Sequence, residues 1–315
     1  MQSPLNHLGV IAAQGPDAAT FLHGQLSQDI KNLAENEARL AAYCSAKGRM
    51  LASFVALHPA PDTYWLLVNK DILPTVLKRL SMFVMRSKLK LIDATSSLHI
   101  CGAMTLAAVD EATPGADQAM PVTVTAAATE GGLPSVLCTL PTIQGVQRQL
   151  LIAPLGVSLP DNETAQSAWR WLEVMGGVPQ IEPATVEQFV PQMINYELIG
   201  GVNFKKGCYP GQEVVARSQY RGTTKRRAFV LLTDADAPPG TELFSSAEPG
   251  QPAGMVINAA ALPAAAAGQA VLAELKLTAV DAMTKGASLH LGATDGAVLV
   301  LGPQPYDIPR AEEAA

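Results

Sequence analysis

Apolar residues recur along the chain in two rhythms, and the points where one gives way to the other mark its elements. Residues 8–14, LGVIAAQ, form an unbroken apolar run of the length of a buried strand. Gly15-Pro16-Asp17 interrupts it, and Phe21, Leu22, Leu26 and Ile30 follow at helical spacing, which predicts a helix opening at Pro16 and Asp17. ARLAAYCSAKGRMLASFVALH (38–58) reads as two strands joined around Ala46-Lys47-Gly48, and TYWLLVN (63–69) adds a third. A helix is predicted over 71–85, with its proline in the first turn, before strands at KLKLIDAT and LHICGAM. Short strands and loops are expected over 91–147, and a helix over 164–176 that Gly176-Gly177 and Pro179 end. From residue 226 onward short β-type runs alternate with turn residues: RAFVLLT, GTELF, AGMVIN, QAVLAEL and AVLVL. That rhythm predicts an antiparallel barrel or sandwich, while ALPAAAA (261–267) reads as a loop. The expected fold class is α+β, with a body over residues 1–222 and an all-β domain over 223–315.

Composition adds bounds rather than detail. The chain has 315 residues, 48% hydrophobic and 16% charged, the balance of a globular protein with a sizeable core. A net charge of −6 gives no general reason to expect a polyanionic partner. The first residues lack a basic stretch followed by an apolar core, so no secretory signal is expected. No run approaches the ~18 apolar residues of a membrane span. Cys44, Cys101, Cys138 and Cys208 show no CxxC spacing, and reduced thiols in the cytoplasm are the expectation. The five histidines (7, 23, 58, 99 and 290) are scattered, so no metal site is predicted.

Charge is uneven, however. Residues 91–147 hold five acids and no Lys or Arg, whereas residues 205–227 hold seven cations (205, 206, 217, 221, 225, 226 and 227) and one acid, Glu213. Arg217, Arg221 and Lys225 are four apart and share one face if that segment is helical. Such a run is ordinarily a solvated face, but this one follows directly on Gly207-Cys208-Tyr209-Pro210-Gly211. Pro210 holds Tyr209 extended and Gly211 accepts positive φ, which specifies a turn. An element starting at Gln212-Glu213 then places Cys208 just ahead of a helix N-terminus, where helix end and lysines both favour thiolate. A lone cysteine is more often a small buried hydrophobe. That reading serves for Cys44, Cys101 and Cys138, which lie in apolar strands. A turn flanked by glycines and preceded by lysines favours a functional thiol at Cys208.

Lys206–Glu213, KGCYPGQE, resembles the hallmark of the YgfZ-type folate-binding proteins, relatives of the glycine-cleavage T-protein, an aminomethyltransferase. The similarity spans nearly the whole chain, through GPDAATFLHGQLSQDI, AAYCSAKGRM, GGVPQI, PQMINYELIGGVNFKKGCYPGQEVVAR and RGTTKRR. It implies a T-protein-like fold, with two interleaved α+β lobes around a central opening plus a C-terminal antiparallel β-barrel. It further implies tetrahydrofolate, or a derivative, bound in the opening, and a role in making or maintaining iron–sulfur proteins, among them enzymes that methylthiolate tRNA. Carried over by residue, the motif thiol is Cys208, with Lys206 and Tyr209 beside it. Lys205, Gly207, Gly211, Gln212, Glu213, Arg217 and Arg221 become candidates for holding the ligand, together with Met175 and Lys47. The glutamate tail of a folate carries carboxylates, which Arg and Lys recognise through charge-assisted hydrogen bonds.

Two positions depart from the relatives. The T-protein uses a carboxylate in its first-sheet segment, and residues 38–61 here contain no Asp or Glu. Aminomethyl or methyl transfer by that route is therefore not expected. Ser45 stands where many YgfZ-type proteins carry Asp, which leaves the turn at Lys47 as a tail-binding site. The relatives also carry a glutamate that holds the pterin ring four residues before the proline of GGVP. Met175 occupies that place, and Glu173, two residues earlier, is expected to face elsewhere on the helix.

The leading expectation is a tetrahydrofolate-binding accessory protein for iron–sulfur clients, with Cys208 as its thiol. One thiolate cannot hold a cluster alone, so cluster binding by this chain is not expected. The alternative is a non-catalytic module that docks a protein or tRNA client through its basic stripe. Direct nucleic-acid binding is the less favoured partner, and no membrane partner is expected.

Overall fold

The computed structural model describes residues 1–106, 120–125, 133–155, 163–220, 224–263 and 267–309. The chain begins with β1 (Gln2–Pro4), β2 (Leu8–Gln14), α1 (Ala18–Gln25), β3 (Glu37–Cys44), β4 (Met50–Ala60) and β5 (Thr63–Asn69). Then come α2 (Leu73–Ser81), β6 (Lys90–Asp93), β7 (Leu98–Leu106), β8 (Met120–Thr125), β9 (Ser135–Ile143), β10 (Val146–Pro154), α3 (Glu163–Met175) and α4 (Gln212–Tyr220). The last part holds β11 (Arg226–Thr233), β12 (Glu242–Ser245), β13 (Gly254–Ala261), β14 (Gln269–Lys276), α5 (Leu277–Thr284), β15 (Leu289–Leu291) and β16 (Val298–Leu301).

The fold is α+β. Ten strands pair in the order β1-β7-β10-β9-β8-β3-β4-β5-β2-β6. The halves of this sheet are interleaved in sequence: β1 pairs with β7 in one, while β2 to β6 build the other. A short contact between β3 and β8 (Ala38 opposite Met120) joins them. The unbroken apolar run of β2 is explained by its place between β5 and β6, where its first six residues are buried. The last six strands close into an antiparallel barrel, β11-β14-β13-β12-β15-β16, sealed where Leu231 and Leu232 of β11 meet Leu301 and Val300 of β16. The barrel has its own core, including Phe229, Leu243, Val271, Leu275 and Leu289. Helix α3 lies against β13 and β14 and so ties the second half-sheet to the barrel.

Several elements are shorter than the periodicity predicts. Helix α1 stops at Gln25, because Leu26 turns extended to bridge Tyr43 and Ser27 N–H donates to the Ala42 carbonyl (2.8 Å). Leu26 and Ile30 are fully buried nonetheless, so the core contact was legible and the helix was not. Helix α2 covers Leu73–Ser81 rather than 71–85. Met82, Phe83 and Met85 beyond it are exposed, and with no apolar face to bury nothing holds further helical turns. Helix α5 and β15 were not anticipated: α5 follows β14 without a break in hydrophobicity, and its N-cap, Lys276, makes no side-chain cap bond. Among the described residues no helix is long and apolar enough to cross a membrane.

Candidate functional site

A cavity of about 1100 Å³ opens where the two half-sheets, the end of α3, the 196–205 segment and residues 304–306 converge. Leu8, Phe54, Leu67, Ile143 and Tyr196 give it apolar walls. Three of its polar groups are placed by identifiable local structure.

The first group sits at the end of α3. Glycine at 177 lets the helix finish in a left-handed turn (φ +61°), in which Gly177 N–H donates to Val174 O (3.0 Å) and Val178 N–H to Glu173 O (3.0 Å). A Cβ at 177 would meet Tyr306 Oη at 2.7 Å, and the Tyr306 hydroxyl donates to the Gly177 carbonyl (3.0 Å). This closure brings the last helical turn to the cavity wall with both Met175 and Glu173 on it. Glu173 therefore does not face elsewhere, as helical spacing alone suggested. The cavity wraps the helix end, so residues on two sides of the last turn reach it. Burial pushes the Glu173 carboxyl up to about 7 against the pull of Arg148 and Arg170.

Arg148, on β10, also lines the cavity and is 2% exposed. Its guanidinium lies 5.3 Å from the centroid of the Trp169 ring, and its Nε has no hydrogen-bond partner among the described residues. Burial brings its pKa down to about 10 despite the nearby Glu173 carboxylate. Arg148 went unnoticed in the sequence because it is the first cation after a long acidic stretch and sits in an ordinary-looking strand.

A third group lies at the opposite side, on the turn after α1. Asp29 accepts from Asn32 N–H (3.3 Å) and from Asn32 Nδ2 (2.7 Å), and Arg39 donates to the carbonyls of Asp29 (2.8 Å) and Asn32 (3.1 Å). Burial would raise the Asp29 carboxyl, but the two Asn32 bonds, His23 and Arg39 outweigh it and hold it below its ordinary value. The cavity thus has an acid from this segment, at position 29, outside the 38–61 stretch where none exists.

The motif loop starts on the cavity and turns away from it. Asn203, Phe204 and Lys205 line the wall. The Asn203 side chain accepts from the backbone N–H groups of Lys205 (2.9 Å) and Lys206 (3.1 Å) and shapes the turn. Lys206 bends inward: its ammonium donates to the carbonyls of His23 and Leu26 and sits 5.0 Å from the Tyr209 ring centroid. Burial lowers its pKa to about 8, with Asp29 and Cys208 pulling the other way. Gly207 and Cys208 are exposed and Tyr209 is buried. Gly211 has φ +79°, and a Cβ there would meet Ser45 O at 2.3 Å and Gly48 N at 2.7 Å. The tip of the Lys47 turn and the tip of the motif turn are therefore packed backbone to backbone, with Lys47 itself exposed.

Of the sequence-predicted residues, Lys205 and Met175 line the cavity; Lys47, Lys206, Gly207, Cys208, Tyr209, Gly211, Gln212, Glu213 and Arg217 do not. Arg221 lies outside the described residues. Arg217 and Lys225 do not share a helix face, because α4 spans Gln212–Tyr220 and Lys225 lies beyond it. Arg217 pairs with Glu213 (3.0 Å) on the surface, Arg226 forks onto the buried Glu274 (2.8 and 2.9 Å), and Arg227 is buried against Glu197. Cys44, Cys101 and Cys138 are buried, and burial pushes the Cys44 and Cys138 thiols up to about 12. Among the described residues no three His, Cys, Asp or Glu side chains cluster as a metal site.

A doubled half-sheet around a central opening, capped by a closed barrel, is the fold of the glycine-cleavage aminomethyltransferases. The aminomethyltransferase T of Bartonella henselae superposes with a TM-score of 0.64 over 96% of this chain and 85% of that one, at 14% identity. No protein-family model matches the chain. Whole relatives are more specific: it is 33% identical over 241 residues to the tRNA-modifying protein YgfZ of Photorhabdus laumondii, covering 75% of this chain and 71% of that protein. The YgfZ of Photobacterium profundum is 30% identical over 240 residues, again 75% and 71% of the two chains. The chain belongs to the YgfZ family.

Proposed function

We propose that the cavity binds a reduced folate and that the protein, through the exposed thiol of Cys208, supports iron–sulfur proteins that modify tRNA. The observation that carries the folate reading is the cavity itself. Its volume, about 1100 Å³, is ample for a ligand of this class, since small-molecule sites span roughly 300–1,000 Å³. Its apolar walls suit a flat ring, Glu173 supplies an acceptor where Met175 cannot, and Arg148 and Lys205 are cations on its wall. The name of the relatives, tRNA-modifying protein, supports the downstream role. Lys205 belongs to both cavity and motif loop, which gives a bound ligand a route to influence Cys208.

A docking stripe is the weaker alternative here, because Arg226 and Arg227 are spent on buried carboxylates. A folate-dependent transferase is supported by one feature, the Asp29 carboxylate on the cavity wall, although Asn32 already occupies both its oxygens. The deciding experiment is calorimetric titration with 5-formyltetrahydrofolate. Binding at micromolar strength is expected, weakened at least tenfold by Glu173→Gln. No heat of binding to the native protein, with or without Met175→Glu, would refute the folate reading. Cys208→Ala is expected to retain folate affinity and to lose tRNA-modifying support in cells.

A further inference from the structure

Arg148 is the anomaly of the molecule. An arginine in the middle of a ten-stranded sheet, 2% exposed, would ordinarily be bound to a carboxylate or to several carbonyls. Arg226 and Arg227 obey that rule with Glu274 and Glu197. Arg148 does not: among the described residues no carboxylate stands at ion-pair distance, and its Nε has no acceptor. Its Cζ lies over the Trp169 ring, 5.3 Å from the centroid, and the residue lines the cavity. Glu173, one turn of α3 beyond Trp169, shares the same cavity and is close enough for each charge to perturb the other. A fixed donor and a fixed acceptor thus border one cavity without satisfying each other. An unpaired buried charge costs several kcal/mol, and a ligand that bridged both would remove that cost.

We propose that Arg148 and Glu173 read the 2-amino-4-oxo edge of the pterin ring, Glu173 accepting from the ring N–H and 2-amino group and Arg148 donating to the 4-oxo oxygen. This rests on the folate reading above and assigns the ring recognition to a donor–acceptor pair. The pair stands in for a single acceptor at position 175 and adds a donor for the 4-oxo oxygen, which sharpens its specificity. A carboxylate accepting from the ring N–H and the 2-amino group already favours the 4-oxo form, because the 4-amino form carries no N–H at ring position 3. Arg148 adds discrimination there, because a 4-amino group would set donor against donor and leave the guanidinium unpaired.

The test is a matched titration with tetrahydrofolate and with its analogue in which the 4-oxo group is replaced by amino. The native protein is expected to prefer the 4-oxo compound by roughly ten- to a hundredfold, the value of a lost hydrogen bond to a charged group. Arg148→Met is expected to lose most of that preference, keeping the part that the Glu173 contact supplies, while Arg148→Lys loses less of it. A native ratio within twofold of one overturns the proposal whatever the variants do, so a variant that fails to fold, judged by thermal unfolding, does not shield it. Unchanged discrimination in folded Arg148→Met or Arg148→Lys overturns it equally, and in both cases the folate reading survives. Absence of binding by either compound to the native protein overturns both.

Discussion

Replacing Glu173 by glutamine isolates the electrostatic state of the cavity. Burial raises this carboxyl from its ordinary 4.5 to about 7. At ~1.36 kcal/mol for each tenfold change in proton affinity, ionising it in the folded protein costs roughly 3 kcal/mol, trimmed to about 2–3 by its partial contact with the open cavity. The folded state holds the proton more tightly than the unfolded chain. Its contribution is therefore intact below pH 4.5, declines as the unfolded chain ionises, and is fully lost once pH passes about 7. Glutamine has no proton to lose. Glu173→Gln should thus be more stable than the native protein by about 2–3 kcal/mol at pH 8, with the advantage vanishing near pH 4.5. Urea unfolding at pH 4.5, 6 and 8 measures this, and the difference between the two proteins cancels every other titrating group. An advantage that does not change with pH would refute the reasoning, as would a native protein more stable than the variant at pH 8.

Three further outcomes follow from the geometry. Gly211→Ala must hold alanine at φ +79° with a Cβ 2.3 Å from Ser45 O, and should cost roughly 2 kcal/mol or more by urea unfolding. Gly145→Ala, at φ +71° with nothing within 4 Å, should cost about 1, and equal losses would remove the backbone clash from the account. Arg227→Met strands Glu197 in the interior and is expected to cost about 3–5 kcal/mol, most of which the double variant Arg227→Met, Glu197→Met recovers; a double variant as unstable as the single would show that packing, not charge, sets the loss. A colorimetric thiol reagent should find one of the four cysteines, Cys208, in the native protein and the other three only after unfolding, and rapid reaction of a second native thiol would contradict the burial described.

What the sequence could tell depended on how far apart the participants were. Strands β4, β5 and β11, with their dense apolar runs, and the glycine-ended α3 were legible because their signals are local. The rhythm of short strands after residue 226 left barrel and sandwich open; the family resemblance chose the barrel and supplied the interleaving, which no local signal contains. The cavity was harder. Lys205 and Met175 were placed on it, but the motif loop pointed attention to Cys208, which the Asn203 turn carries away from the wall. Charge spacing suggested a basic stripe, but two of its cations, Arg227 and Arg226, are absorbed by Glu197 and Glu274, which come from 30 residues upstream and 48 downstream. Arg148 was missed, and Glu173 was expected to face elsewhere, for a related reason: each looks ordinary in its own strand or helix, and only the fold sets both beside one cavity.

Tyr306 and its neighbours have a bearing on when the cavity can come into being. One wall includes Leu8 and another is made by residues 304–306, clasped to Gly177 through the Tyr306 hydroxyl and to β11 through Gln304, whose side chain bonds both N–H and C=O of Val230. A ribosome that has released the half-sheets and most of the barrel has still not finished this enclosure, and it stays open on that side until residue 306 emerges. The enclosure thereby depends on the segment that carries Gln304 and Tyr306. A product stopped before residue 304 would present that side of the cavity to solvent.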